Sequence, residues 1–208
     1  MIPLFVDCSG KRIVIFGGGE VAARKAAYFA GKAEVTVVSR SFSKKFDAMK
    51  LVRHSLDIAT VPDDWLANFI HGAFLVIAAL PGTEQNNRIG SLCRSHKILF
   101  NNADGEPGDV ILPAVTGGST YTIAISTDGR SPAVARFLRE QIDRGFPALD
   151  AMVRLQERLR QELKGFEPDQ GRRNAIIREV LDDHAVWEEL RADPGKAWET
   201  VSGRYLHG

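Results

Sequence analysis

The stretch of sequence that decides the fold spans residues 13–22 and reads I-V-I-F-G-G-G-E-V-A. A short apolar segment leads directly into three glycines and then into the start of a helix near Glu20. This order places backbone N–H groups and a helix N-terminus where they can bind a pyrophosphate. Gly17 permits a tight turn, Gly19 allows the phosphates to approach, and Ala22 is small enough for close helix–strand packing. The segment therefore matches G-x-G-x-x-A, a variant of the dinucleotide-binding fingerprint, although glycines after a strand also form plain turns.

The same fingerprint predicts an acidic residue about 20 positions further on, at the end of the second strand, to hold the ribose hydroxyls. This chain has Ser39-Arg40-Ser41 at that point. An arginine there favours a ribose 2′-phosphate, and hence NADP, because the guanidinium fork matches phosphate geometry. A solvent-exposed arginine after a strand is the alternative interpretation. The residues alone therefore leave the choice between NAD and NADP open.

Bulk composition excludes several classes of protein. The 208 residues carry a formal net charge of +1, which gives no general attraction to nucleic acid or to a membrane. The two cysteines, Cys8 and Cys93, form no C-x-x-C pair, and the histidines are scattered, so we predict no metal site and a reducing compartment. No apolar run reaches the ~18 residues that suggest a membrane span, and the N-terminus does not resemble a signal peptide. We expect a cytoplasmic protein.

Strand and helix signals alternate through the first half of the chain. Such alternation predicts an α/β fold, a Rossmann-type doubly wound parallel sheet, over residues 1–112. The predicted strands are residues 11–16, 33–39, 52–59, 74–80 and 98–101, and the predicted helices are residues 20–30 and 86–96.

The pattern changes after Pro107-Gly108. Two β-branched segments joined through Gly117-Gly118 predict a small β-hairpin, and Ser131-Pro132 predicts the N-cap and first residue of a helix. The hairpin strands are predicted at residues 110–116 and 120–127, and further helices at residues 148–163, 175–181 and 185–190. We therefore predict three domains: residues 1–112, a hairpin and helix region at residues 113–146, and a helical C-terminal domain at residues 147–208.

Several segments together resemble the precorrin-2 dehydrogenase family, the N-terminal module of siroheme synthase. Residues 17–25 read G-G-G-E-V-A-A-R-K, close to the family's G-G-G-x-V-A-x-R-K. The family's A-A-T…N resembles A-A at residues 78–79 followed by Asn87, and its N-x-x-D matches residues 101–104, with I-L-P-A after it. Residues 123–133 match I-A-I-S-T-x-G-x-S-P-x. These motifs occur in the family's order and cover about two thirds of the chain.

The resemblance implies oxidation of precorrin-2 to sirohydrochlorin with NAD as the cofactor, in the synthesis of siroheme or a related tetrapyrrole. Some family members also insert ferrous iron into that product, which makes iron a second expected substrate. Members are interlocked homodimers, which implies a homodimer here and a dimerisation region at residues 113–146.

The resemblance also assigns roles to individual residues. It implies that Asp104 is catalytic, since a carboxylate near the macrocycle can accept the proton that is lost with the hydride. From the sequence alone, Asp104-Gly105 would be a simple turn. The implied cofactor-binding residues are Gly17, Gly18, Gly19, Glu20, Val21, Arg40, Ser41 and Ala79. The implied substrate-binding residues are Asn101, Thr127, Arg130 and Ser131.

The sequence departs from the family pattern in two places. Leu80-Pro81 replaces the family's Thr-Asp, which removes an expected polar contact near the cofactor. Asp128 stands where a glycine is usual, which changes the expected shape of that loop. A second hypothesis is a regulatory domain that senses NAD(H) without catalysis. It explains the glycine segment but not the motifs at residues 101–104 and 126–132.

Overall fold

The structure is a computed structural model that describes residues 1–206. The chain divides into two compact units, Met1–Leu112 and Pro113–Gly208, and each has its own hydrophobic core. Within the described residues, no helix combines the length and the apolar character needed to cross a membrane.

A five-stranded parallel sheet forms the centre of the first unit. Its strands are β1 Arg12–Phe16, β2 Glu34–Ser39, β3 Val52–Ser55, β4 Leu75–Ala78 and β5 Leu99–Asn102. They lie in the order β3-β2-β1-β4-β5, and helices α1 Glu20–Phe29, α2 Asp63–Ile70 and α3 Thr83–Ser95 connect them. The apolar runs of β1 and β4 are buried, as expected for strands that are covered on both faces. The predicted doubly wound α/β fold is confirmed.

Alternate residues of the central strands divide the core into two layers. Ile13 and Ile15 belong to the layer that contains the buried residues of α1, whereas Val14 and Phe16 belong to the layer that contains those of α2 and α3. Phe16 pairs with Val38 on one side and with Ala78 on the other. The carboxyl ends of β1, β2 and β4 are therefore level, and the segments that follow them meet at one edge of the sheet.

The region between β2 and α3 differs from the sequence prediction. Strand β3 ends at Ser55 and a 3-10 turn follows at Ile58–Thr60, so the third strand is shorter than the predicted 52–59. The sequence patterns did not predict α2, because its eight residues bury only Leu66 and Ile70. Helix α3 begins at Thr83, three residues before the predicted start. The prediction began too late because the first turn of this helix is polar and adds nothing to the apolar pattern.

Arg88 of α3 holds this region in place. Its guanidinium group donates hydrogen bonds to the backbone carbonyls of Ile58 and Val61, at 3.0 and 2.6 Å. It also donates to the carboxylate of Asp63, in the first turn of α2, at 2.6 Å. The position of α2 thus depends on a residue 25 positions further along the chain.

The second unit begins with the predicted antiparallel hairpin, but its strands, β6 Ala114–Gly117 and β7 Thr122–Ile125, are shorter than the predicted 110–116 and 120–127. Helix α4, Pro132–Gly145, starts as the sequence predicts. The hydroxyl of Ser131 accepts the N–H of Val134 at 3.3 Å, and Pro132 occupies the first turn. A hydrogen bond from Thr116 to the carboxylate of Asp143 joins β6 to α4.

Four further helices complete the second unit. They are α5 Leu149–Phe166, α6 Gln170–Asp182, α7 His184–Ala192 and α8 Pro194–Tyr205. Leucine side chains at 155, 159 and 163 place one stripe of α5 against the other helices. The sequence analysis missed α8, although Asp193 caps it by accepting the N–H of Gly195 at 2.8 Å and Pro194 occupies its first turn. The division of residues 113–208 into two domains stays a prediction.

The carboxylate of Asp150 fastens the hairpin turn to the first turn of α5. It accepts the N–H groups of Ser119 and Thr120, both at 2.9 Å, and the hydroxyl of Thr120 at 2.6 Å. Gly118 lies so close that a Cβ atom there would collide with the carboxylate. The hydroxyl of Thr120 and these N–H groups lower the pKa of Asp150 to about 2, because they stabilise its ionised form.

We expect this contact to make the stability of the second unit sensitive to acid. The folded pKa of Asp150 is about 2, below the ~3.9 of an unfolded chain, so its contribution is present above pH ~4 and is lost as the pH falls toward 2. Asp150→Asn should lower the Tm by a few degrees at pH 7 and weaken the acid dependence between pH 4 and pH 2. Thermal unfolding followed by circular dichroism at several pH values measures both effects.

Asp182→Asn is the matched control, because the carboxylate of Asp182 is 67% exposed and pairs with Arg178 on the helix surface. It should leave the Tm near that of the wild type. Equal losses in the two variants would contradict a special role for Asp150.

Candidate functional site

Gly17 closes the junction between three strands at the carboxyl edge of the sheet. Its N–H donates to the carbonyl of Val38 at 2.9 Å, and the N–H of Ala79 donates to the carbonyl of Phe16 at 2.8 Å. Gly17 has a φ of +127°, and a Cβ atom there would collide with the carbonyl of Ala79. The turn after β1 therefore requires glycine for both its conformation and its space.

Gly18 and Gly19 differ in their surroundings. A Cβ atom on Gly18 would collide with the carbonyl of Ser41, and the carbonyl of Gly18 accepts the N–H of Ser43 at 2.8 Å. A Cβ atom on Gly19 would meet nothing within 4 Å. Gly18 thus packs the turn against the segment after β2, a role the sequence analysis did not assign. Gly19 leaves open space directly before α1, as the fingerprint predicts.

The N-terminus of α1 has the features of an anion site. The first N–H groups of a helix have no intrahelical partner, and the N-cap residue Gly19 has no side chain that could accept from them. Val21 exposes 42% of its surface in the first turn. Glu20 forms an ion pair with Lys45, and the hydrogen bond from Lys45 lowers the pKa of the Glu20 carboxyl. The predicted residues Gly19, Glu20 and Val21 thus line one accessible end of the helix.

Arg40 and Ser41 follow β2 at the same edge of the sheet. The guanidinium of Arg40 lies 3.5 Å from the carboxylate of Asp57, and the hydroxyl of Ser55 donates to the Arg40 carbonyl at 3.4 Å. The backbone of Ser41 packs on Gly18. Asp57 was not predicted, because it lies on the segment after β3 and the fingerprint places the acid after β2.

Asn86 organises the loops that follow β4 and β5. Its side-chain oxygen accepts the N–H of Leu80 at 3.0 Å, and its amide nitrogen donates to the carbonyls of Leu80, Gly82 and Asp104 at 3.1, 3.0 and 3.2 Å. Asn86 is fully buried, so these bonds form where water cannot replace them. The sequence analysis missed this residue. Two adjacent asparagine pairs, 86–87 and 101–102, were the available signal.

The neighbouring asparagines hold the loop that carries Asp104. The side-chain oxygen of Asn87 accepts the N–H of Glu106 at 2.9 Å and an amide N–H of Asn102 at 3.2 Å. The amide nitrogen of Asn102 also donates to the carbonyl of Glu106 at 2.8 Å. Gly105 has a φ of +121°, and a Cβ atom there would collide with the side chain of Asn87. The loop thus has a defined conformation at the carboxyl end of β5.

Asp104 projects from this fixed loop. Its N–H donates to the side-chain oxygen of Asn102 at 3.2 Å, and the N–H of Ala103 donates to the carbonyl of Ala78 at 2.9 Å. Ala78 is followed by Ala79, which contacts Gly17, so Asp104 and the glycine turn belong to the same edge of the sheet. The residue is exposed. A carboxylate in this position can accept a proton from a bound molecule.

Asn101 is buried and bonded at both ends of its amide. It accepts a hydrogen bond from the Lys25 ammonium group at 2.7 Å and donates one to the carbonyl of Val110 at 2.7 Å. Burial lowers the pKa of Lys25. Lys25, which the sequence analysis quoted only as part of a motif, thus connects α1 to β5.

The second unit holds the other predicted substrate residues in a compact loop. The hydroxyl of Thr127 accepts the N–H of Ser131 and donates to its carbonyl, both at 3.0 Å, and the N–H of Arg130 donates to the carbonyl of Thr127 at 3.0 Å. Asp128 has a φ of +51°, so the aspartate adopts a conformation that favours glycine. The loop brings Thr127, Arg130 and Ser131 together, whereas Asn101 and Asp104 belong to the first unit.

Comparison with protein families gives two matches that follow the order of these features. A family described as putative NAD(P)-binding matches residues 4–114, which include the glycine turn and Asp104. A second family, described as sirohaem biosynthesis protein central, matches residues 122–145, which include the Thr127–Ser131 loop and α4.

Individual proteins extend this similarity over nearly the whole chain. A precorrin-2 dehydrogenase of Methanosarcina barkeri is 40% identical over 206 residues, which cover 95% of this chain and 90% of that protein. Siroheme synthase 2 of Yersinia pestis is 33% identical over 176 residues, which cover 83% of this chain but only 36% of the longer protein. The solved structure of SirC, a precorrin-2 dehydrogenase, superposes with a TM-score of 0.70 at 20% identity and covers 97% of this chain and 99% of SirC, so the two share a fold. The chain belongs to the precorrin-2 dehydrogenase family.

Proposed function

We propose that this protein oxidises precorrin-2 to sirohydrochlorin with NAD as the hydride acceptor. The observation that carries the proposal is the 40% identity, along nearly the full length of both chains, to a protein named precorrin-2 dehydrogenase. The reaction removes two hydrogens from the macrocycle. One leaves as a hydride, which the nicotinamide of NAD accepts, and the other leaves as a proton.

The glycine turn and the residues around it fit a dinucleotide. Gly17 and Gly18 have no room for a side chain, whereas the space at Gly19 is open, and the N-terminus of α1 can bind a pyrophosphate. In this proposal Gly17, Gly18, Gly19, Glu20, Val21 and Ala79 border the pyrophosphate and nicotinamide, and Arg40 and Ser41 border the ribose. The residues present therefore suit the cofactor that the family uses.

Asp104 accepts the proton in this proposal. Its loop is held by the buried side chain of Asn86 and by Asn102, so the carboxylate extends from a fixed backbone. A carboxylate on a fixed backbone is already held in place when the proton is transferred, so no loop movement has to precede the step.

Thr127, Arg130 and Ser131 are proposed to bind the substrate's carboxylates. Ser131 caps α4, so its neighbours lie at a helix N-terminus, and Arg130 supplies a positive charge. Asn101 was predicted as a fourth contact. Both ends of its amide already bond within the first unit, which favours a supporting role for β5.

Ferrous iron insertion is proposed as a second activity of the same site. The relatives named siroheme synthase favour it. Iron is here a substrate, and Asp104 would accept the pyrrole N–H protons that the metal replaces. Among residues 1–206, no group of three or more histidine, cysteine or acidic side chains is arranged to hold a metal ion.

A homodimer and a cytoplasmic location complete the proposal. Helix α4 buries only Ala135, while Val134, Phe137 and Leu138 expose 47, 56 and 42% of their surfaces. An apolar helix face of this kind fits the interlocked homodimers of the family. Both cysteines are free, which suits a protein in a reducing compartment.

Alanine at Gly18 should mainly lower the stability of the fold, whereas alanine at Gly19 should mainly weaken nucleotide binding. Gly18→Ala should destabilise the first unit by about 2 kcal/mol or more, because Cβ collides with the Ser41 backbone. Gly19→Ala should cost less than about 1 kcal/mol but weaken NAD binding at least ~10-fold, because the methyl group enters the space for the phosphates. Thermal unfolding and titration calorimetry with NAD measure the two effects. Normal NAD binding by Gly19→Ala would place the pyrophosphate elsewhere.

The purified protein should oxidise precorrin-2 with NAD, and the absorbance change to sirohydrochlorin measures this reaction. Asp104→Ala should lower kcat by roughly 10²–10⁴-fold, because the proton acceptor is lost. NAD affinity should stay near that of the wild type, and iron insertion into sirohydrochlorin should slow in the same variant.

Glu106→Gln is the control for Asp104, because the Glu106 side chain is two residues away and pairs with Arg94. It should retain activity. Wild-type activity in Asp104→Ala would remove this residue as the base. NAD binding by the wild type without any turnover would instead favour the regulatory-domain hypothesis.

Size-exclusion chromatography with light scattering should give twice the mass of one chain. Phe137→Asp should shift the protein to a monomer, because it places a charge in the apolar face of α4. Phe166→Asp is the control, since Phe166 is a similarly exposed phenylalanine at the end of α5. A wild-type monomer, or equal effects of the two changes, would contradict this interface.

A further inference from the structure

An acidic side chain opposes Arg40 at the edge of the sheet. The Asp57 carboxylate lies 3.5 Å from the guanidinium of Arg40. Asp57 follows β3, and β3 is the neighbour of β2 in the sheet, with Ser55 opposite Ser39. An acidic side chain is thus present at this edge, on the segment after the adjacent strand and not after β2.

The position of Asp57 is held by several bonds. Its other carboxylate oxygen accepts the N–H of Ala59 at 3.1 Å, in the 3-10 turn that follows. The N–H of Leu56 donates to the carbonyl of Ser39 at 3.0 Å, and the hydroxyl of Ser55 donates to the carbonyl of Arg40. The two segments that carry Arg40 and Asp57 are therefore joined directly beside the ion pair.

The Asp57 carboxylate offsets part of the positive charge that would otherwise attract a phosphate group, since the Arg40 side chain stays 74% exposed in this pair. A ribose 2′-phosphate carries roughly two negative charges and needs an unpaired cation, whereas a 2′-hydroxyl does not. Lys45, in the 3-10 turn that follows the Arg40 segment, pairs with Glu20, whereas its neighbour Lys44 is exposed. Arg40 and Lys45 therefore each have an acidic partner within the protein.

We propose that Asp57 is a specificity-determining residue that makes the site select NAD over NADP. This inference rests on the proposed cofactor site. Asp57 pairs with the Arg40 guanidinium, and its negative charge repels a 2′-phosphate. The carboxylate does not repel an uncharged 2′-hydroxyl, so NAD can still bind. The arginine that suggests NADP in the sequence thus stands beside an acidic side chain in the folded protein.

Asp57→Asn should tighten NADPH binding by about tenfold and leave NADH binding within about twofold of the wild type. Asparagine retains an oxygen that can accept the Ala59 N–H, so the local fold is kept. Equilibrium titrations that follow the nicotinamide fluorescence of NADH and NADPH give both constants without any substrate. Because surface charges are screened by salt, the gain in NADPH binding should shrink at high ionic strength.

Arg40→Gln tests whether the effect passes through the arginine. In the double variant Asp57→Asn/Arg40→Gln, NADPH affinity should fall back toward the wild-type value, because the freed guanidinium is absent. Asp47→Asn is the matched control. Asp47 pairs with Arg53 at 3.1 Å on an exposed surface nearby, and its removal should leave the NADPH-to-NADH ratio unchanged.

An unchanged ratio in Asp57→Asn, or the same change in Asp47→Asn, would overturn the inference. A wild-type protein that binds neither nucleotide would overturn the cofactor site together with it. A wild-type protein that binds NADH but does not oxidise precorrin-2 would refute only the proposed reaction, since the binding ratio is measured without substrate.

Discussion

The close approach of backbone to backbone at the ends of β1, β2 and β4 is the constraint on which the site depends. Gly17 meets the carbonyl of Ala79, and Gly18 meets the carbonyl of Ser41. Side chains at either position would push these strand ends apart. Because the three ends stay together, the N-terminus of α1, the Arg40 segment and the loop after β4 share one edge of the sheet.

Buried asparagines extend this constraint to β5. A loop has no neighbouring strand to satisfy its backbone groups, and Asn86 supplies the missing partners for residues on both sides of the edge. One side chain thus fixes the loop after β4 and the backbone of Asp104 together. The Asp104 carboxylate remains accessible to solvent while its backbone is held.

The sequence predicted the features that depend on neighbouring residues. Buried strands, the glycine turn, the hairpin and the Ser131 cap all follow from short patterns, and the structure contains each of them. Helix α2 was missed because it buries only two residues, and bonds from the distant Arg88 hold the segment before it. Asn86 was missed because its bond to the Asp104 loop, 18 residues away, has no local sequence pattern. Helix α8 was missed for a different reason. Asp193 and Pro194 are a recognisable helix start, but the apolar pattern that follows them is weak.

The Arg40–Asp57 pair shows why a fingerprint read along the chain can mislead. The fingerprint describes chemistry at the edge of a sheet, but it is written as a spacing in sequence. In a parallel sheet the ends of adjacent strands are neighbours, so an acid after β3 can stand beside an arginine after β2. The absence of an acid at the expected position therefore does not mean its absence from the site. Acidic and basic side chains from adjacent strands therefore have to be considered together at the edge of the sheet.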